Sequence, residues 1–242
     1  MDEYIQSQHA LDDEFIEGEF FPEEYPWWRG CTKKMSLMEV ATLFENYDKT
    51  SASVLDLQGR LMAEVEWLPL SLVKLSNLTE IDLSKNEIMA LPSDVGELKA
   101  LKKFDIHSNQ LINLSRSIGE LTSLTDLDLC GNRRKSLPTS FENSNFFTQS
   151  PDSIGNLSSL EKLNLDENEL EELPSAIGSC MSLVVLQVNF NRLNSLPEAI
   201  GNLANLEILI VRYNRVKNLP ERIRKGGKKN PTRSFFIRVR PR

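Results

Sequence analysis

His107 and Cys130 stand 23 residues apart, and each follows an aspartate by two positions, Asp105 and Asp128. Together they offer nitrogen, sulfur and oxygen donors. No zinc-type ligand spacing runs through the chain, so no metal or other cofactor is expected there. The whole chain holds 2 histidines and 3 cysteines, thin material for proton transfer, a metal centre or a disulfide framework. It carries no phosphate-cradling glycine loop, no H-E-x-x-H and no nucleophile elbow, so no catalytic residue is assigned and no enzyme is expected. Cys180 stands where neighbouring segments have leucine and reads as core. Charge remains as the candidate chemistry. Asp56, Asp82, Asp105 and Asp128 recur at matching places, followed there by Asn164, Gln187 and Ile210. Carboxylates set about 4.8 Å apart repel by roughly 1 kcal/mol in water, less with salt, so such a row is mildly costly unless it serves a basic partner.

The elements that place these residues follow from an internal repeat. Asn86, Asn109, Asn132, Asn168, Asn191 and Asn214 each end an L-x-x-L-x-L-like run, at steps of 23, 23, 36, 23 and 23 residues. Pro92, Pro138, Pro174, Pro197 and Pro220 each follow one of these asparagines by six. In Glu80-Ile81-Asp82-Leu83-Ser84 the apolar residues alternate, which predicts a short strand with Ile81 and Leu83 inward. The asparagine sits where the chain turns off the strand, and equivalent side chains are expected to form a ladder. The L-P-x-x-I-G half returns on the opposite side. One unit cannot bury its apolar face alone, whereas stacked units bury a continuous one. The fold class is therefore α/β: a solenoid with a parallel sheet on its concave face and short helices or turns on the convex face.

This pattern resembles the leucine-rich-repeat superfamily. The L-P-x-x-I-G form resembles its intracellular, Ras-group-related plant class, through Leu55-Asp56-Leu57-Gln58-Gly59-Arg60-Leu61, Val65-Glu66-Trp67-Leu68-Pro69, Leu206-Glu207-Ile208-Leu209 and Val211-Arg212-Tyr213-Asn214. The resemblance spans about 36–223. It implies a non-enzymatic scaffold in intracellular signalling, in the cytoplasm and also the nucleus, with a small-GTPase-pathway protein among the expected partners. The family's arrays usually continue further, so the expectation is a shortened member.

Four segments are expected. Residues 1–34 are acidic and read as a disordered tail, with nine acids and no lysine or arginine in 1–28. Residues 35–52 hold a capping helix and linker, the helix opened by Ser36-x-x-Glu39 and packed on the first strand. Residues 53–223 form the array. Its 36-residue step reads as a unit without its strand near 139–156, which predicts direct pairing of 126–130 with 162–166 and displacement of 139–156 on the convex side. Residues 224–242 read as a basic tail. An acidic body with a basic end argues against nucleic acid, although an adaptor acting through that tail is the alternative. No membrane span is expected, since no apolar run approaches about 18 residues. The partner is expected on the concave face, at Asp56, Glu80, Asp82, Lys103, Asp105, His107, Asp126, Asp128, Lys162, Asp166, Gln187, Ile208, Ile210, Arg212 and Tyr213.

Overall fold

The computed structural model describes residues 34–47, 52–112, 114–132 and 152–226. The acidic segment 1–33, the stretch 133–151 and the end of the chain from 227 lie outside the described residues.

Seven three-residue strands form one parallel sheet in sequence order: β1 (Val54–Asp56), β2 (Glu80–Asp82), β3 (Lys103–Asp105), β4 (Asp126–Asp128), β5 (Lys162–Asn164), β6 (Val185–Gln187) and β7 (Ile208–Ile210). Register is uniform, and the central residues Leu55, Ile81, Phe104, Leu127, Leu163, Leu186 and Leu209 all point into the core. Each strand returns through a short 3-10 helix: Leu70–Lys74, Val95–Glu97, Arg116–Glu120, Asp152–Asn156, Ser175–Ser179 and Glu198–Asn202. The seventh returns through an α-helix, α2 (Glu221–Gly226), which packs on the helix at Glu198–Asn202 and buries Ile223. This helix runs three residues into the segment read above as tail. Leucine and isoleucine from every unit make one continuous core between the two rows. This is the solenoid that the repeat predicts.

The convex row is tight because its glycines allow it. A Cβ on Gly119 would stand 2.2 Å from the Ser153 carbonyl oxygen of the next unit. A side chain there would force neighbouring units apart.

Helix α1 (Leu37–Tyr47) opens as the sequence predicts. Ser36 donates its backbone N–H and its hydroxyl to the Glu39 carboxylate at 2.7 and 2.9 Å, and Glu39 N–H returns to the Ser36 hydroxyl. Its buried face, Val40 and Phe44, packs against the first convex helix, Leu70–Lys74, rather than chiefly on β1. The link to β1 is the Tyr47 hydroxyl, which donates to the Val54 carbonyl. The apolar face of the helix is thereby matched to the core between the two rows.

Strands β4 and β5 pair directly, Asp126 opposite Lys162, across a step of 36 residues where β3 to β4 takes 23. Of the segment read as displaced, 152–156 takes a regular place in the convex row between the helices at Arg116–Glu120 and Ser175–Ser179. The remainder, 139–151, lies outside the described residues.

Candidate functional site

The strands lay their outward side chains in columns on the concave face. The first column holds Val54, Glu80, Lys103, Asp126, Lys162, Val185 and Ile208, and the next holds Asp56, Asp82, Asp105, Asp128, Asn164, Gln187 and Ile210. Two residues on, backbone bonds between successive units align Gln58, Ser84, His107, Cys130, Asp166, Asn189 and Arg212. The expected site residues thus share one surface. Gln58 belongs to it as well, and Ser84 and Asn189 hold the same row but are buried; their constant offset from the strand was the signal that could have placed them.

The aspartate column is anchored to the backbone. Asp56, Asp82, Asp105 and Asp128 each accept the N–H two residues on, at 3.0, 2.9, 3.0 and 2.9 Å, and Asn164 does the same at 3.1 Å. Gln187 and Ile210 stand where this short acceptor is missing. There the preceding unit supplies it: Asp166 accepts from Asn189 N–H at 2.6 Å and Asn189 from Arg212 N–H at 2.8 Å. Every N–H in that row therefore meets a side-chain oxygen, as backbone amides at the end of a short strand require. The Asp128 carboxylate also accepts from the Asn164 amide at 3.0 Å. These carboxylates therefore hold the strand ends as well as carrying charge.

In the first column charges alternate. Lys103 meets Glu80 at 3.1 Å and Lys162 meets Asp126 at 3.0 Å, both exposed. The hydrogen bond from Lys162 to Asp126 raises the lysine's pKa.

Asp105, His107 and Asp128 come together, their ligand atoms lying within 4.8 Å of one another. His107 Nδ1 is 2.7 Å from Asp105 Oδ1, the atom that also accepts the His107 N–H. Burial first, then the surrounding carboxylates led by Asp128, push the Cys130 thiol up to about 12, so it remains a thiol and not a metal-binding thiolate at neutral pH. These bonds account for the cluster as structure. Burial also raises Asp166 above the usual carboxylate range, against the lowering effect of its bonds to Asn189.

After the strand the chain turns through one left-handed residue per unit: Gly59, Lys85, Ser108, Gly131, Glu167, Phe190 and Tyr213, with φ between 52° and 64°. The ladder asparagine comes next. Asn109 Oδ1 accepts from Ile88 N–H at 3.0 Å, and Nδ2 donates to the carbonyls of Leu83 and Ile106 at 3.0 and 3.1 Å. Asn86, Asn132, Asn191 and Asn214 repeat this arrangement. The ladder thus runs through backbone of the preceding unit rather than from one amide to the next. Asn168 donates in the same way to Leu129 and Leu165, but its Oδ1 finds no partner among the described residues. The equivalent donor would stand just after Asn132, where the described chain breaks.

The character of the face changes along the sheet. β2 to β5 present charge, whereas β6 and β7 present Val185, Ile208 and Ile210. Beside them Phe190 and Tyr213 stack at 4.3 Å and 12°, each about half exposed at 48% and 46%.

Seven in-register strands, a backbone-bonded asparagine ladder and a convex helix per strand define a leucine-rich-repeat solenoid. Leucine-rich-repeat family models match residues 73–133 and 159–180. Among curated relatives, the chain is similar to plant intracellular Ras-group-related LRR protein 5 of Oryza sativa subsp. japonica, 52% identical over 58 residues, which is 24% of this chain and 11% of the relative. Protein 5 of Arabidopsis thaliana is 51% identical over 59 residues, again 24% and 11%. Among solved structures, an internalin (inlF) of Listeria monocytogenes has a TM-score of 0.60 at 20% identity, covering 83% of this chain and 51% of its own. The ectodomain of the Arabidopsis thaliana membrane receptor kinase GASSHO1/SCHENGEN3, in complex with CASPARIAN STRIP INTEGRITY FACTOR 2, has a TM-score of 0.53 at 31% identity, covering 71% and 19%. No helix among the described residues is long and apolar enough to cross a membrane.

Proposed function

We propose that this chain is a non-enzymatic scaffold for intracellular signal transduction, holding another protein on the concave face of its sheet. Leucine-rich-repeat folds are in general protein-interaction modules, and the relatives matched over 24% of the chain are named intracellular and Ras-group-related. The observation that carries the reading is the outward face of the sheet. Its backbone is paired strand to strand and tied by Asn109 and its equivalents, so the columns from Asp82 to Ile210 form a preorganised surface with charge at one end and apolar side chains at the other. Preorganisation lowers the entropy cost of binding.

Site-specific photocrosslinking tests this. A photoreactive residue at Gln187 on the concave face should give protein adducts in plant-cell extract, whereas one at Met181, exposed in the turn after the convex helix, should not. Adducts from Met181 alone would overturn the proposal.

A further inference from the structure

We propose that the concave face takes an extended segment of another protein whose side chains run from basic to apolar, with two basic residues on β3 and β4 and an apolar pair on β6 and β7. The inference rests on the concave-face reading above and gives the partner its chemistry.

Three observations meet here. Lys103 and Lys162 lean on Glu80 and Asp126 within the first column, so Asp82, Asp105 and Asp128 leave the neighbouring column negative. Two to three strands further, the same columns become Val185, Ile208 and Ile210, with Gln187 and Asn164 as the uncharged transition. Phe190 and Tyr213 stack beside this end while held at φ 52° and 56°, a left-handed backbone that bulky residues rarely adopt. Gly59 and Gly131 occupy the same turn without that cost. Lys85, Ser108 and Glu167 share that conformation, so it belongs to the repeat, and what sets this end apart is the exposed aromatic pair.

The spacing fixes the length of the segment. β3 and β7 are four strand spacings apart, about 19 Å. Six residue steps of an extended chain span about 20 Å and bring residues 1, 3, 5 and 7 to one side. A segment with arginine at 1 and 3, leucine at 5 and phenylalanine at 7 therefore spans the gradient. Its arginines face Asp105 and Asp128, and its apolar residues face Ile208, Ile210 and the aromatic pair. The geometry admits either chain direction.

The probe is a fluorescein-labelled peptide, Arg-Thr-Arg-Thr-Leu-Thr-Phe, with its reversed sequence as a second arm, titrated against the full chain by fluorescence anisotropy. Asp105→Asn with Asp128→Asn removes charge and keeps the backbone anchor, as Asn164 does naturally, at the loss of the bond that Asp128 accepts from the Asn164 amide. The double variant should weaken binding about three- to tenfold, in line with two exposed ion pairs. Ile208→Thr with Ile210→Thr keeps β-branching and should weaken binding by about tenfold or more through lost apolar contact. A peptide with glutamate for both arginines should not bind. Unchanged melting temperatures exclude unfolding as the cause. Absence of saturable binding by either sequence overturns the inference, as does binding that ignores either pair of substitutions. Concave crosslinks without peptide binding would refute this segment alone, whereas their absence would refute the scaffold reading too.

Discussion

Replacing Asn109 with alanine should be among the most damaging single changes in the chain, and its cost can be worked from its bonds. The side chain is 4% exposed. The carbonyls it serves each have a second donor: Leu83 also accepts from Asn86 and Ile106 from Asn132. The N–H of Ile88 has only the Asn109 oxygen and would be orphaned in the core. An orphaned buried amide costs about 1–3 kcal/mol, and each lost bond to a still-paired carbonyl about 0.5–1 kcal/mol. The sum is about 2–5 kcal/mol. Asn214→Ala removes the equivalent bonds from the last rung, where Asn214 is only half-buried. The expected loss there is about 1–2 kcal/mol. Urea unfolding followed by circular dichroism measures both. Equal losses at the two positions would refute the burial argument, since equivalent positions of the ladder are emptied and Asn214 is the less buried of the two.

Gly119→Ala should destabilise by about 2 kcal/mol or more, because the methyl meets the Ser153 carbonyl. Gly201→Ala should also destabilise, because its methyl would stand 2.4 Å from the Arg222 Cβ, an atom fixed to the backbone of the last helix, and an unchanged melting temperature would contradict the crowding argument. Lys85→Gly should raise stability by a few tenths of a kcal/mol or more, since glycine removes the left-handed penalty at φ 57° and repays part of it in chain entropy. A lower melting temperature would show that the lysine makes a compensating contact. Burial raises the Asp166 pKa, so the native state holds that proton more tightly than the unfolded chain, and this contribution is full below the unfolded value near 3.8 and lost as pH rises through the folded value. Asp166→Asn should therefore gain stability relative to the parent from pH 4 upward, and parallel pH–melting curves would refute the sign. Cys130 should resist iodoacetamide at pH 7.5 in a Cys31→Ser background, given a thiol pushed up to about 12, and modification at the rate of a free thiol would contradict that shift.

The asparagine period and the alternating leucines made the strands legible, because both express backbone requirements that every unit shares. Ser36 and Glu39 declared the helix start for the same reason. Direct pairing of β4 with β5 followed from counting, since a sheet with a gap would leave two unpaired edges. The aspartate column was only half legible. Its charge can be read from residue type, but its bond to the N–H two residues on depends on how the backbone leaves the strand. The change of acceptor at Gln187 and Ile210 depends on contacts between units 23 residues apart. Tyr213 could be placed on the face from its position in the repeat, but its stack with Phe190 was not legible, because both occupy a turn that residue preferences assign to glycine, as at Gly59 and Gly131.

The direct union of β4 and β5 has a consequence for how such a chain can be lengthened. The concave row advances by one strand at Asp126 and Lys162 whether the intervening chain is 23 residues or 36. The inner face therefore works as a ruler whose graduations ignore how many residues lie between one strand and the next. β4 and β5 pair directly across the interval between Asn132 and Asp152, so that interval is a natural place to graft a tag or a reporter.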